Sequence, residues 1–91
     1  MSFLYVIAAS KEGPVKLGYS ATPEKRLKQL QTGNPQPLEL FHCEEVEVAS
    51  IRSAERYLHN LLGHQRLKGE WFSLSVEDAI FEAVHARITA P

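Results

Sequence analysis

Apolar positions near the start of the chain have the spacing of a two-stranded hairpin. Residues 3–8 form a short run of aromatic and β-branched side chains, which is typical of a strand. Residues 11–14 read Lys-Glu-Gly-Pro, a turn composition, and residues 15–20 again alternate apolar with other side chains. The pattern predicts two antiparallel strands joined by a tight turn.

Two later segments have the spacing of amphipathic helices. In the first, Thr22 is the expected N-cap and Pro23 the first helical residue, and Gly33 is expected to end the helix in a left-handed conformation. In the second, Ser50 is the expected cap and Gly63 the end. The predicted buried positions are Leu27 and Leu30 in the first helix, and Ile51, Ala54, Leu58, Leu61 and Leu62 in the second.

A third strand is predicted between these helices. Residues 38–48 alternate apolar and polar positions, but the phase slips between Leu40 and Phe41, which indicates a bulge or a bend. After the second helix, a basic loop at residues 64–69 leads into residues 70–72, a short extended piece that places two aromatic side chains on the core.

The last segment predicts a third helix. Residues 75–78, Ser-Val-Glu-Asp, have the composition of a capping box. The element order is therefore β-β-α-β-α-(β)-α, which predicts one α+β domain over residues 1–91, with three helices flanking a small, mainly antiparallel three-stranded sheet. The predicted buried positions of the third helix are Ile80, Phe81, Val84 and Ile88.

Composition narrows the class of protein. The chain has 91 residues, 44% hydrophobic and 23% charged, which is the make-up of one small globular domain. The longest apolar run, residues 4–9, is far shorter than the roughly 18 to 20 residues of a membrane helix. One cysteine, Cys43, excludes an internal disulfide and suits a reducing compartment. We therefore expect a cytoplasmic protein.

Charge is segregated along the chain, although the net charge is only -1. Residues 1–38 hold five basic and two acidic side chains, whereas residues 39–55 hold one basic and five acidic. Residues 56–70 are again basic, with three basic side chains against one acidic. A near-neutral protein can therefore still present a local basic surface to a phosphate.

The start of the first helix is a candidate phosphate site. Its free amides and dipole favour an anion, and Lys25, Arg26 and Lys28 add three positive charges. Arg26 lies roughly 70° from the centre of the apolar stripe, at the border between core and surface. The alternative is a solvated basic turn.

The second helix offers a candidate metal ligand. Glu55 lies roughly 70° from the centre of its apolar stripe, with His59 on the same side. A carboxylate there is suited to a hard cation such as magnesium, which prefers oxygen ligands. The alternative is a surface glutamate with a histidine partner four residues later.

Two tyrosines lie in the hairpin, Tyr5 and Tyr19, with Lys16 between them in sequence. A phenol has a pKa near 10, so a tyrosine acts as a base only where a cation lowers that pKa. Lys16, Arg26 or a metal ion could do so, and the alternative is that both tyrosines serve packing. Zinc-ligand spacing is not found among His42, Cys43 and His64.

Taken together, five segments resemble the GIY-YIG nuclease superfamily, in particular its compact phage and bacterial stand-alone branch, the meiotically up-regulated-gene type. The first and second motifs correspond to residues 4–7 and 15–18, and the helix bearing the family's arginine to residues 23–35. Residues 54–59 and 69–72 resemble later signatures of that branch.

The resemblance implies a metal-dependent endonuclease that hydrolyses DNA phosphodiester bonds with magnesium or manganese. It assigns Tyr5 to the attacking water, Arg26 to charge on the scissile phosphate and Glu55 to the metal. Lys16 stands where many members have tyrosine, and is expected to lower the pKa of Tyr5 or to contact phosphate. Further site candidates are Tyr19, His59 and Glu70, and the side chains expected to bind DNA are Lys25, Lys28, Arg66 and Lys68.

Other functions stay open on the sequence alone. A module with the same fold could bind nucleic acid or regulate without cutting it. A protein-interaction domain could dock a partner on the acidic residues 39–55, where a homodimer could also form. Whether the DNA is single- or double-stranded leaves no signal in the residues.

Overall fold

The fold is that of a computed structural model, which describes residues 2–89 apart from the side chains of residues 48, 49 and 87–89. Within these residues the chain forms five strands, three α-helices and one turn of 3-10 helix. The strands are β1 Ser2–Ala8, β2 Val15–Ser20, β3 Glu39–Val46, β4 Arg66–Lys68 and β5 Trp71–Phe72. The helices are α1 Pro23–Thr32, α2 Val48–Leu61 and α3 Val76–Thr89, with the 3-10 turn at Gly63–Gln65.

The strands form one antiparallel sheet in the order β3-β1-β2-β5-β4. The α+β class and the hairpin of β1 with β2 are confirmed, with Tyr5 paired to Gly18 in the register. The sheet has five described strands rather than three, because residues 66–68, predicted as loop, pair with β5. All three residues of β4 are exposed, so this strand has no apolar alternation that the sequence could show.

The predicted irregularity of the third strand is a bulge at Phe41. Val6 pairs with His42 and the next residue, Ile7, pairs with Leu40, so Phe41 is the extra residue of β3. The slip in the apolar pattern between Leu40 and Phe41 therefore marked the position of the bulge.

Helices cover both faces of the sheet. Alternate strand residues point to opposite faces, so Leu4 and Val6 join the core cluster with residues of α2 and α3. Tyr5 points to the other face, where α1 contacts β1, β2 and β3. The core cluster comprises Leu4, Val6, Ala8, Val15, Leu17, Val46, Ile51, Ala54, Leu58, Leu62, Phe72, Val76, Ala79 and Ala86. Within residues 2–89, no helix is both long and apolar enough to cross a membrane.

Several helix ends differ from the predictions. Helix α1 does begin at Pro23, but the Thr22 side chain makes no capping hydrogen bond within the described chain, and Gly33 has a φ of -103° rather than a left-handed value. Helix α2 begins two residues before Ser50, whose N–H donates to the Glu47 carbonyl at 2.9 Å inside the first turn.

The other helix ends agree better with the predictions. Helix α2 ends at Leu61, just before the predicted stop at Gly63. The cap of α3 is confirmed, because Ser75 Oγ accepts a hydrogen bond from the Asp78 N–H at 3.2 Å.

The buried face of α3 was predicted correctly only in part, since Ile80 packs against the core but Phe81 does not. The buried side chains are Val76 and the alanines 79, 83 and 86, whereas Phe81 is 63% exposed. Ile80 and Val84 are half-buried, and the side chain of Ile88 lies outside the described residues. Small side chains let a helix backbone approach its neighbours closely. The alanine face of α3 is therefore buried in preference to the face that carries the larger Phe81.

In α2, the predicted buried positions Ile51, Ala54, Leu58 and Leu62 are buried. Leu61 is wrong, since its side chain is 43% exposed at the last residue of the helix. The predicted stripe of α1, Leu27 and Leu30, is half-buried.

The alanine face of α3 gives a test of this packing. Ala83→Leu inserts three carbons where the side chain is fully buried, and should destabilise the fold by about 2 kcal/mol. For a domain of this size that corresponds to a loss of about 10 °C in Tm, measured by circular dichroism. Phe81→Leu, at an exposed position of the same helix, should leave Tm within about 2 °C, and equal shifts for both variants would contradict the assigned face.

Candidate functional site

The site lies where β5 stops covering the edge of β2. Along β2, strand β5 pairs only with Val15 and Lys16. The preceding residue, Glu70, is held beside β2 because its carbonyl accepts a hydrogen bond from the Leu17 N–H at 3.0 Å. The Glu70 side chain thereby reaches the free stretch of edge that begins at Gly18.

Glu70 is the hub of the site. Its Oε1 accepts a hydrogen bond from the Tyr5 hydroxyl at 3.4 Å and lies 3.5 Å from Lys16 Nζ. Lys16 is only 8% exposed, and its ammonium also lies 5.5 Å from the centroid of the Trp71 ring. A nearly buried cation of this kind needs a counter-ion, and Glu70 supplies it.

Gly18 leaves the space in which these groups meet. A Cβ at this position would lie 2.6 Å from Tyr5 Oη and 2.8 Å from Glu70 Oε1. Both distances are shorter than van der Waals contact, so the arrangement requires a residue without a side chain. Tyr5 is the partner of Gly18 in the β1–β2 register, which places its ring across the glycine.

Arg26 approaches the same hydroxyl from α1. Burial raises the pKa of Tyr5, the hydrogen bond and positive charge of Arg26 oppose this, and the negative charge of Glu70 raises it further. Tyr5 is therefore a phenol that donates to Glu70. Arg26 is one of the cations predicted to lower the pKa of Tyr5, and it does lower this pKa, but burial raises it by more.

Glu55 brings a second carboxyl group to Glu70 from α2. Burial raises the pKa of Glu55, and the charge and hydrogen bonding of Glu70 raise it further. Two carboxyl groups this close repel each other when both are ionised, so they favour a shared proton or a cation between them.

His59 lies one helical turn beyond Glu55. Burial and the charge of Arg66 lower the pKa of its imidazole, while Glu70 raises it. Its Nε2 is buried without a hydrogen-bond partner among residues 2–89, and its ring contacts Phe72 edge-on at 5.4 Å. The lowered pKa and the buried Nε2 both favour the neutral imidazole.

Glu55 and His59 also line an open groove on the surface. It has a volume of about 390 Å³ and is lined by Tyr19, Arg52, Glu55, Arg56 and His59. Arg52 and Arg56 were not among the predicted site residues. Their signal was present, because together with Glu55 and His59 they recur at spacings of three and four residues along one side of α2.

The predicted DNA-binding side chains do not share this groove. Lys25 and Lys28 line a separate cavity of about 520 Å³ beside Phe3 at the start of α1. Arg66 Nε donates to the Gly69 carbonyl at 2.6 Å, where it closes the turn between β4 and β5. Lys68 lines a third cavity.

The donors present suit a hard divalent cation. The described residues contain no cluster of three or more Cys, His, Asp and Glu side chains placed to hold a metal. The pair Glu55 and Glu70 offers carboxylate oxygens, the ligands that magnesium takes while it keeps several waters. Burial is the main cause of the raised pKa of Glu55, and the neighbouring charge of Glu70 adds to it.

An α+β domain that collects a tyrosine, an arginine, a lysine and two glutamates at one sheet edge has the chemical groups of a phosphoryl-transfer site. The T5orf172 domain family matches residues 2–86, so the chain belongs to this family of phage-associated, nuclease-related domains. The family is associated with nuclease-like or DNA-binding functions, and so suggests interaction with nucleic acid. No curated protein and no solved structure shows a significant match to the chain.

Proposed function

We propose that this domain is a metal-dependent endonuclease of the GIY-YIG type that hydrolyses DNA phosphodiester bonds. The observation that carries the proposal is the convergence on Glu70, which contacts Tyr5 and Lys16 directly and acts on Glu55, while Arg26 acts on Tyr5. Hydrolysis of a phosphodiester needs a positioned water, stabilisation of negative charge and an acceptor for a proton, and these side chains offer each of them.

Glu55, with Glu70 beside it, would hold magnesium or manganese. When bound, such an ion supplies Lewis-acid stabilisation of the oxygen that leaves phosphorus. Arg26 carries a permanent positive charge next to Tyr5 and would neutralise charge that develops on the scissile phosphate. The guanidinium can donate two parallel hydrogen bonds to phosphate oxygens.

Tyr5 would act on the attacking water through Oη. Its raised pKa makes a free phenolate unfavourable, so a proton taken from water at Oη would have to be matched by loss of the tyrosine's own proton. Glu70 Oε1 already accepts a hydrogen bond from the Tyr5 hydroxyl and can take this proton. Tyr5 and Glu70 then form a two-residue path for one proton.

Lys16 would act as a positioning residue. Its ammonium is nearly buried between Glu70 and the Trp71 ring, a place from which it orients the carboxylate. The proposed role of Lys16 is thus to orient Glu70, whereas the two roles expected from the sequence were to lower the pKa of Tyr5 or to contact phosphate.

A plasmid-nicking assay tests the proposal. Wild-type protein should nick supercoiled DNA in the presence of magnesium or manganese, and EDTA should abolish this nicking. Glu55→Ala should lower the rate at least about 100-fold, whereas Glu77→Ala, an exposed glutamate of α3, should nick like wild type. Equal nicking by wild type and Glu55→Ala would overturn the proposal.

A non-catalytic nucleic-acid-binding or regulatory module is the second candidate. It is favoured by one observation, namely that the hydrogen bond of Tyr5 and the ion pair of Lys16 are both satisfied by Glu70 within the protein. In that case DNA binding, measured by fluorescence anisotropy, should weaken in Arg26→Ala, remain unchanged in Glu55→Ala, and occur without metal-dependent cleavage.

A further inference from the structure

A second large cavity, which the proposed function does not use, is lined by Trp71, the neighbour of Lys16. It has a volume of about 740 Å³, between the β1–β2 turn, the segment after α1 and the β4–β5 hairpin. Its apolar walls include Pro14, Pro37, Leu38, Leu67 and Trp71. This is enough space for a flat aromatic group together with part of its attached sugar and phosphate.

Trp71 is a fixed aromatic surface in this cavity. It pairs with Lys16 in the β2–β5 register, and Lys16 Nζ lies 5.5 Å from the ring centroid. The indole is half-buried, and part of its exposed surface faces the cavity. An aromatic ring held in this way can stack a ligand without losing much conformational entropy.

The opposite wall is also held in place. The Gln31 side chain donates to the carbonyls of Asn34 at 3.2 Å and Gln36 at 2.9 Å, and it accepts from the Leu38 N–H at 2.7 Å. One glutamine therefore fixes the segment that faces Trp71, and the cavity is preformed.

Charge favours an anionic ligand here. Among the described residues that line the cavity, Lys68 is the only charged one, and no acidic side chain is present. The cavity also adjoins the proposed catalytic groups, since Lys16 contacts both Trp71 and Glu70. A ligand with an aromatic ring and a phosphate fits both the wall and the charge.

We propose that this cavity takes one unpaired nucleobase of the DNA substrate, stacked on Trp71, with a neighbouring phosphate near Lys68. The inference rests on the proposed function and specifies its substrate class as DNA with an unpaired or extruded nucleotide beside the cut. In an intact duplex, bases are stacked on their neighbours and cannot reach an aromatic side chain without unpairing.

Trp71 is the only tryptophan of the chain, so its fluorescence reports on this cavity alone. The wild-type protein is titrated in EDTA with a single-stranded thymidine 12-mer, an abasic 12-mer and a blunt 12-base-pair duplex. The thymidine strand should quench the fluorescence in a saturable way, and the abasic strand and the duplex should not. Equal quenching by all three would overturn the proposal, because it would require no base on Trp71.

Variants test the stacking separately by anisotropy of a labelled thymidine 12-mer. Trp71→Ala should bind about tenfold more weakly, and Trp71→Phe should recover affinity to within about threefold of wild type. Leu61→Ala, at an exposed position on α2, should bind like wild type. Lys68→Ala, at an exposed strand residue, should reduce the slope of the logarithm of the binding constant against the logarithm of salt concentration by about one. The proposal would be overturned if a folded Trp71→Ala variant bound with wild-type affinity. If Trp71→Ala does not fold, an unchanged salt dependence in Lys68→Ala would overturn it instead.

The two proposals fail in different ways. Base-dependent quenching without any Glu55-dependent nicking would support the nucleobase site and contradict the proposed nuclease activity. Glu55-dependent nicking of duplex and single-stranded DNA at equal rates, without base-dependent quenching, would keep the nuclease and remove the nucleobase site.

Discussion

Glu70→Ala should lower the rate of plasmid nicking by about 1000-fold, the upper end of the loss expected from one polar group in a catalytic site. The substitution removes the acceptor of the Tyr5 hydrogen bond and the counter-ion of Lys16 in one step. It also leaves Glu55 without the neighbouring carboxylate. Tyr5 and Lys16 therefore lose the partner that orients them, and Glu55 loses the second carboxylate proposed to hold the metal.

The same substitution should cost stability, but not enough to unfold the protein. Removing one partner of a fully buried ion pair costs about 3–5 kcal/mol. The Glu70 side chain is 29% exposed, and its loss relieves repulsion at Glu55, so we expect about 2 kcal/mol. Thermal unfolding followed by circular dichroism measures this loss.

A double variant separates the two effects. Lys16→Met combined with Glu70→Ala removes both charges, and should regain Tm to within about 5 °C of wild type while nicking stays lost. Glu77→Ala again serves as the matched single change at an exposed glutamate. Nicking by Glu70→Ala at the wild-type rate would mean that Glu70 is not part of the site.

Gly18→Ala should lower the nicking rate by about 100-fold with the fold retained. The added methyl group would lie 2.6 Å from Tyr5 Oη and 2.8 Å from Glu70 Oε1, so both groups must move by about 1 Å. Because Tyr5 is buried, the rearrangement should also destabilise the fold, by about 1–3 kcal/mol.

Gly63→Ala is the matched control, because no described heavy atom lies within 4 Å of the Cβ that it would add. It should nick like wild type and keep or slightly increase Tm, since alanine restricts the unfolded chain. Nicking is measured on supercoiled plasmid and folding by circular dichroism for both variants. If Gly18→Ala nicks as fast as Gly63→Ala, the contact between Tyr5 and Glu70 has no part in the reaction.

Those parts of the fold that have strong local patterns could be predicted from the sequence. Most strand residues of the hairpin are buried, and the bulge at Phe41 left a phase slip that matches the observed register. Strand β4 was missed because three exposed residues have no periodicity. The face of α3 was predicted only in part because hydrophobicity does not report how closely a helix approaches its neighbours, which favoured alanine here over Phe81.

The sequence predicted most residues of the site but not the contacts between them. Arg26 and Glu55 stood out because each borders an apolar stripe, and the structure brings both to one cluster. Glu70 was ranked among lesser candidates, because its position depends on the pairing of β5 with β2, which residue spacing does not reveal. The direction of the Tyr5 pKa depends on burial and could not be derived from nearby cations in the sequence. The catalytic roles of these residues stay predictions.

The two outer strands of the sheet have opposite charge. Strand β3 carries Glu39, Glu44 and Glu45 without a lysine or arginine, whereas β4 carries Arg66 and Lys68 without an acidic residue. Two copies that joined their sheets symmetrically would set like charges against each other at either edge, which is unfavourable. If β3 of one copy paired with β4 of the next, the opposite charges would attract each other, and the copies would form an open chain rather than a closed dimer. A strand of three residues, however, offers few hydrogen bonds for this pairing. Like charges at each edge therefore disfavour symmetric pairing of two sheets, and the short length of β4 limits the pairing of β3 with β4.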